Sequence, residues 1–297
     1  MYPRAFHYHR ASSLKEAANI LAQLGEDAKF LAGGQSLIPL MKLRFANPRH
    51  LVDLNFIKGI SYIKEDKSLL RIGALTRHAE IEHSATVGKI PILHDCAAGI
   101  ADVQVRNRGT IGGSLAEADP SGDWATVLLA LDASVRCAGR KAERTVPLTK
   151  FILDAYTTAL AKDELVGEIV VKFRAKNSGG AYLAFKRSAP VYPTASAAVQ
   201  LTLDGDTCAD ASIVLGCVGL SPIKAIGAEA ALSGKKVNSK SIAEAADAAR
   251  SAADPQPDMR GSAEYKRTLV GALVRQAIDI ATRRARGERV EISHIYA

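Results

Sequence analysis

Gly109-Thr110-Ile111-Gly112-Gly113-Ser114-Leu115-Ala116-Glu117-Ala118-Asp119-Pro120-Ser121-Gly122-Asp123 gathers glycines, hydroxyls and two aspartates between apolar segments. As plain structure such a run is costly, because glycine loses more backbone freedom on folding than any other residue. In return it offers close backbone approach and bare N–H groups that can face an anion. A second glycine pair lies upstream in Ala32-Gly33-Gly34-Gln35-Ser36. Both pairs carry hydroxyl neighbours: Ser36 in one, Thr110 and Ser114 in the other. Neither standard nucleotide motif accounts for them. The chain has no G-x-G-x-x-G, and Gly234-Lys235-Lys236 has neither the spacing nor the following Ser or Thr of a P-loop. Two readings stay open from spacing alone. The pairs cradle one phosphate-bearing cofactor, with Asp119 and Asp123 accepting from ribose hydroxyls or an adenine amine. Otherwise they are two tight turns with capping aspartates.

Working outward, 297 residues suggest two domains. Hydrophobic residues at 47% and charged residues at 24% are ordinary for a globular chain. No apolar run approaches the roughly 20 residues that span a bilayer. Met1 to His7 lacks the apolar core of a signal peptide, so the expectation is a soluble, cytoplasmic protein with no membrane span. The net charge of +8 raises nucleic acid as a partner, but aromatics are only 5% and the positive charge is spread along the chain. No nucleic-acid role is expected. Cys96, Cys137, Cys208 and Cys217 form no C-x-x-C pair, which points to free thiols rather than a zinc or iron–sulfur site. The basic run Arg283-Arg284-Ala285-Arg286 reads as a solvated helix end.

Local patterns set the glycine pairs in an α+β frame. Ser13-Leu14-Lys15-Glu16 has capping-box form before a helical pattern stopped by Gly25. A short strand at 29–31 runs into Gly33-Gly34, and 37–42 reads as a helix, so the first pair is a strand-to-helix turn. Strands are expected at 51–54, 69–73, 133–137, 144–147, 164–173 and 181–187. Helices are expected at 76–83, 90–101 and 124–131, with 106–123 as loop. A composition shift near 175–180 divides the chain. Beyond it, 195–203 and 211–218 alternate as a hairpin across Asp204-Gly205-Asp206, and helices follow at 224–232, 241–253 and 264–286. His78, His83 and His94 read as structural.

Both glycine stretches match one family. Ala32 to Arg44 resembles the first FAD loop of the molybdenum-hydroxylase flavoprotein subunits, and Arg106 to Ala116 with Asp119, Pro120 and Asp123 resembles the second. That family includes the medium subunit of carbon monoxide dehydrogenase and the FAD part of xanthine dehydrogenase. Asp163 to Ile169 and Phe185-Lys186-Arg187 fall in the family's order, so the resemblance runs nearly end to end. It implies a fold of the vanillyl-alcohol-oxidase (PCMH) type. The FAD-binding domain would span 1–176, with subdomains about 1–57 and 58–176, and a C-terminal α+β domain of three helices and an antiparallel sheet would span 177–297. By matching position, Ala32, Gly33, Gly34, Gln35 and Ser36, with Thr110, Ile111, Gly112, Gly113 and Ser114, would wrap the pyrophosphate, and Leu37 and Ala116 would also bind the cofactor. Asp123 would reach the adenosine side, and Asp119 would also bind the cofactor. Val166 and Lys186 would lie near the cofactor, and Tyr192 would flank the isoalloxazine.

The resemblance also implies partners. A small subunit would carry two [2Fe–2S] clusters and a large subunit the molybdopterin, in a dimer of heterotrimers. Electrons would leave through FAD to an external acceptor, with no catalytic nucleophile and no metal on this chain. A self-standing flavin oxidoreductase and an FAD-free scaffold subunit are the alternatives. The insert of the related benzoyl-CoA reductase subunits is absent. The substrate and the acceptor (quinone, NAD or oxygen) stay open.

Overall fold

The computed structural model describes residues 2–292. Its first unit comprises β1 (His7–Arg10), α1 (Leu14–Leu24), β2 (Ala28–Leu31), α2 (Leu37–Lys42) and β3 (His50–Asp53). The strands form a parallel sheet in the order β1-β3-β2. Ala17 and Ala18 of α1 are fully buried with Ala28 and Val52, so small residues let the helix lie close to the sheet. Ser13 caps α1 by accepting the Glu16 N–H at 3.1 Å. The reciprocal arm of the expected capping box is displaced by one residue: the Glu16 carboxylate takes the N–H of Ser12 at 2.8 Å.

The second unit runs through β4 (Ile63–Asp66), β5 (Leu69–Gly73), α3 (His78–Glu82), α4 (Pro91–Gly99), α5 (Val103–Arg106), α6 (Ile111–Glu117) and α7 (Asp123–Ala130). It closes with β6 (Ser134–Ala138), β7 (Glu143–Pro147), the short pair β8 (Ile152–Asp154) and β9 (Thr157–Thr158), and β10 (Leu165–Lys172). Its five-stranded sheet has the order β4-β5-β10-β6-β7 and is antiparallel throughout. Ile72, Val135 and Ile169 meet Trp124, Leu128 and Ile92 in its core.

Here the expected loop at 106–123 is overturned. Arg106 ends a helix, and residues 111–117 form another. Thr110 caps α6, its side-chain oxygen accepting the Gly113 N–H at 3.1 Å. Packing overrides the low helix propensity of the glycine pair, because Ile111 and Leu115 are both fully buried. Gly112 is pressed against Ala74, where an added Cβ would lie 2.6 Å from the alanine Cβ.

The third unit consists of β11 (Ser178–Phe185), β12 (Ala195–Asp204), β13 (Thr207–Gly216), β14 (Ile223–Lys224), α8 (Ile226–Leu232), α9 (Ser239–Ala252) and α10 (Ala263–Ala285). The four strands form an antiparallel meander. Alternation along β12 sends Ala197, Val199 and Leu201 to the core shared with the three helices, and Ala198 to the core of the second unit. The sheet is therefore covered on both faces. Gly179 lets α10 come close, since a Cβ there would lie 2.0 Å from the Ala281 carbonyl oxygen.

The basic run at the end of α10 is no solvated face as a whole. Arg284 is buried and pairs with the buried Asp95 of α4 at 2.6 Å, joining the second and third units. Arg283 and Arg286 pair separately with Glu288 and Asp206.

Candidate functional site

A cleft of about 860 Å³ opens among the three units, within the roughly 300–1,000 Å³ usual for ligand sites. It is lined by Ala32, Gly33, Gly34, Gln35, Ser36 and Leu37, and by Thr110, Gly112, Gly113, Ser114 and Ala116. Asp119, Asp123, Val166, Lys186 and Tyr192 line it too. Of the residues singled out in the sequence, Ile111 alone turns away, its side chain filling the core of the second unit.

The two glycine pairs turn out to be different devices. Gly33 is where the loops touch: a Cβ there would lie 2.3 Å from the carbonyl oxygen of Arg108 and 2.8 Å from the Gly109 Cα. Gly34 has φ +75°, a left-handed conformation that glycine adopts freely. Beyond them, among the described residues, no protein group accepts the N–H of Gly33, Gly34, Gln35, Ser36 or Leu37. That row of unpaired donors is what an anion requires. The second pair has none to spare. The N–H of Ile111 goes to the Thr76 carbonyl at 3.2 Å, and that of Gly112 to Ala74 at 2.9 Å. The N–H of Gly113 is held by Thr110. The second pair shapes the cleft by size, the first by its amides.

A polar brace holds the loops in register. Arg77 donates to the Arg108 carbonyl and to the Asn55 side chain. Asn55 in turn donates to the Ala32 carbonyl at 2.9 Å. No spacing rule in the sequence marks Arg77 or Asn55, which meet only through tertiary structure.

The acids also separate. Asp119 accepts the Ser121 N–H at 2.8 Å, a local turn of the plainer kind. Asp123 is buried and accepts from the Tyr182 hydroxyl at 2.7 Å, a contact with the third unit. Partial desolvation and the carboxylates of Asp119 and then Asp123 push the Tyr192 phenol up. Asp123 and Tyr192 both line the cleft. Lys186 is buried, its ammonium donating to the Gly99 carbonyl. Burial, followed by the Asp119 carboxylate, raises the Glu117 carboxyl.

The thiols play no part. Burial pushes Cys137 and Cys208 up to about 11, and Cys217 up to about 12, far from thiolate reactivity. Among the described residues no cluster of His, Cys, Asp or Glu is arranged to hold a metal. None of the described helices is long and apolar enough to cross a membrane.

His78, read from the sequence as structural, lines the cleft. Its ring is buried against Trp124, whose indole N–H donates to Nδ1 at 3.1 Å. Burial, with Arg77 and Arg106 nearby, pushes its pKa down to about 3, so the ring is neutral at physiological pH. A lone histidine in an apolar helical pattern carries no signal that would have found it.

Known proteins match this architecture over its length. The family described as the FAD binding domain in molybdopterin dehydrogenase matches residues 4–171, and the CO dehydrogenase flavoprotein C-terminal domain matches 180–281. The carbon monoxide dehydrogenase medium chain of Hydrogenophaga pseudoflava is 40% identical, covering 95% of this chain and 98% of its own. The alpha subunit of the 6-hydroxypseudooxynicotine dehydrogenase complex of Paenarthrobacter nicotinovorans is 39% identical, covering 99% and 100%. The solved structure of carbon monoxide dehydrogenase from Hydrogenophaga pseudoflava superposes with a TM-score of 0.93 at 42% identity, covering 96% of this chain and 99% of that one. With its glycine-lined cleft and both domains matched, this chain belongs to the family of FAD-binding medium subunits of molybdopterin dehydrogenases.

Proposed function

We propose that this chain is the electron-transfer subunit of a heterotrimeric molybdenum hydroxylase in the cytoplasm. Its partners are a small subunit with [2Fe–2S] clusters and a large subunit with molybdopterin, assembled as a dimer of heterotrimers. Residues 1–176 hold the cofactor, in subdomains meeting near residue 57, and 177–297 form the C-terminal domain. Residues 293–297 lie outside the described residues. The bound FAD supplies electron carriage between the partner's clusters and an external acceptor.

The observation that carries this reading is the row of unpaired amides from Gly33 to Leu37 on the cleft wall. These donors hold the diphosphate without a lysine. Thr110, Gly113 and Ser114 bound the same space, and the small Gly113 leaves it open. Asp123, Lys186 and Tyr192, which all line the cleft, together receive the flavin end in this reading. Val166 supplies apolar wall. No side chain here needs to act as acid, base or nucleophile.

The test is direct. The purified chain is yellow, with flavin absorbance that survives desalting, or takes up FAD on reconstitution. A colourless protein that cannot be reconstituted refutes the reading. Co-purification with a molybdenum-containing subunit from the source cells separates a hydroxylase subunit from a self-standing flavoprotein.

A further inference from the structure

His78 holds a polar atom that the fold itself leaves unused. The Trp124 indole N–H donates to its Nδ1 at 3.1 Å. An acceptor at Nδ1 fixes the proton of the neutral ring on Nε2. Among the described residues no protein group accepts that Nε2–H. The residue is only 5% exposed, and it lines the cleft. Buried donors in folded proteins almost always have partners, so one left open on a cleft points to a ligand.

Its position narrows the ligand group. The His78 backbone N–H donates to the Gly109 carbonyl at 3.1 Å, tying the ring to the second loop. A Cβ on Gly109 would lie 2.6 Å from Nε2, and a Cβ on Gly33 would lie 2.8 Å from the Gly109 Cα. Nε2 therefore lies against Gly109, which in turn lies against Gly33, where the unpaired amides start. The groups around it are the guanidinium ions of Arg77 and Arg106, the Val105 backbone carbonyl, which already accepts the Gly109 N–H, and Trp124. An anionic acceptor fits these surroundings.

We propose that the Nε2–H of His78 donates a hydrogen bond to a diphosphate oxygen of FAD at the crossing of the two loops, with Trp124 as the positioning residue that fixes the donor tautomer. This rests on the FAD reading above. A positively charged imidazole is not needed, since the amides and the neutral N–H supply donors without a further proton.

The experiment is NMR of the full chain with ¹⁵N-labelled histidine, titrated with FAD and separately with riboflavin. His78 is expected as the Nε2–H tautomer throughout. Its Nε2–H signal moves downfield as FAD binds and stays in place with riboflavin, which lacks the diphosphate. The His78→Phe variant is expected to bind FAD about 10-fold more weakly. FAD retained by the wild type with an unmoved His78 signal overturns the proposal and leaves the FAD reading standing. A signal moved equally by riboflavin overturns the diphosphate assignment. A wild-type chain that takes up no FAD overturns both.

Discussion

Gly33-Gly34 and Gly112-Gly113 are the same dipeptide doing opposite work. At the first pair the backbone leaves a helix-bound strand and five successive amides, Gly33 to Leu37, keep no protein acceptor. At the second pair the backbone is helical and its two amides are already spent on Ala74 and Thr110. One pair is there for what its N–H groups can bind. The other is there because Ala74 and the Thr110 hydroxyl leave no room for a side chain. The difference teaches that a glycine pair in a cofactor loop can act through its donors or only through its size, and that hydrogen-bond accounting tells them apart.

The largest effect is expected at the point where the loops touch. Gly33→Val drives a branched side chain into the Arg108 carbonyl, which is backbone and cannot swing aside. FAD affinity is expected to fall by about 100-fold or more, read as flavin lost on gel filtration. Full flavin content in that variant breaks the contrast at its root. Gly112→Ala should act on the fold instead. Overpacking against Ala74 is expected to cost about 1–3 kcal/mol in urea unfolding, while the folded fraction still binds FAD.

The histidine behind the second loop gives a pH signature. His78 has its pKa lowered from 6.5 to about 3 in the folded protein. The unfolded chain thus binds the extra proton first, and this contribution to stability is complete above pH 6.5 and is lost as pH falls. Between pH 7.5 and 5 the loss is about 2 kcal/mol from this one ring. Urea unfolding of the wild type and His78→Phe at both pH values should differ by that slope. Equal slopes would remove the buried neutral ring from the account.

Asp123→Asn sharpens which part of the cofactor meets this acid. FAD is expected to bind about 10-fold more weakly, with a shifted flavin absorption band and unchanged ADP affinity. Weakened ADP binding with an unmoved band would return Asp123 to the adenosine side. The smallest effect belongs to the cap of α6. Thr110→Ala is expected to cost about 1 kcal/mol of stability, because the Gly113 N–H loses its acceptor.

Much of the fold was legible along the chain. Ser13 does cap a helix that Gly25 ends, and the strand before Gly33 and the short helix after it stand where the pattern put them. The hairpin across Gly205 and the three helices beyond it are also present. The misreadings share a cause. Residues 111–117 carry two glycines and looked like loop, yet two long-range hydrogen bonds and the burial of Ile111 and Leu115 hold them helical. Arg284 sat in a basic run and looked solvated, yet Asp95, far upstream, draws it inside.

By itself the sequence determined the family, the cofactor class and the absence of a cysteine cluster, because two glycine loops in fixed order and the spacing of cysteines are properties of a linear string. Only the tertiary structure decided which amides are free among the described residues, that Asp123 meets Tyr182, and that His78 on the cleft wall accepts from Trp124. Those outcomes depend on whether an acceptor from a distant segment arrives. Thr76, Ala74, Trp124 and Tyr182 each come from elsewhere in the chain to take up a donor or supply one.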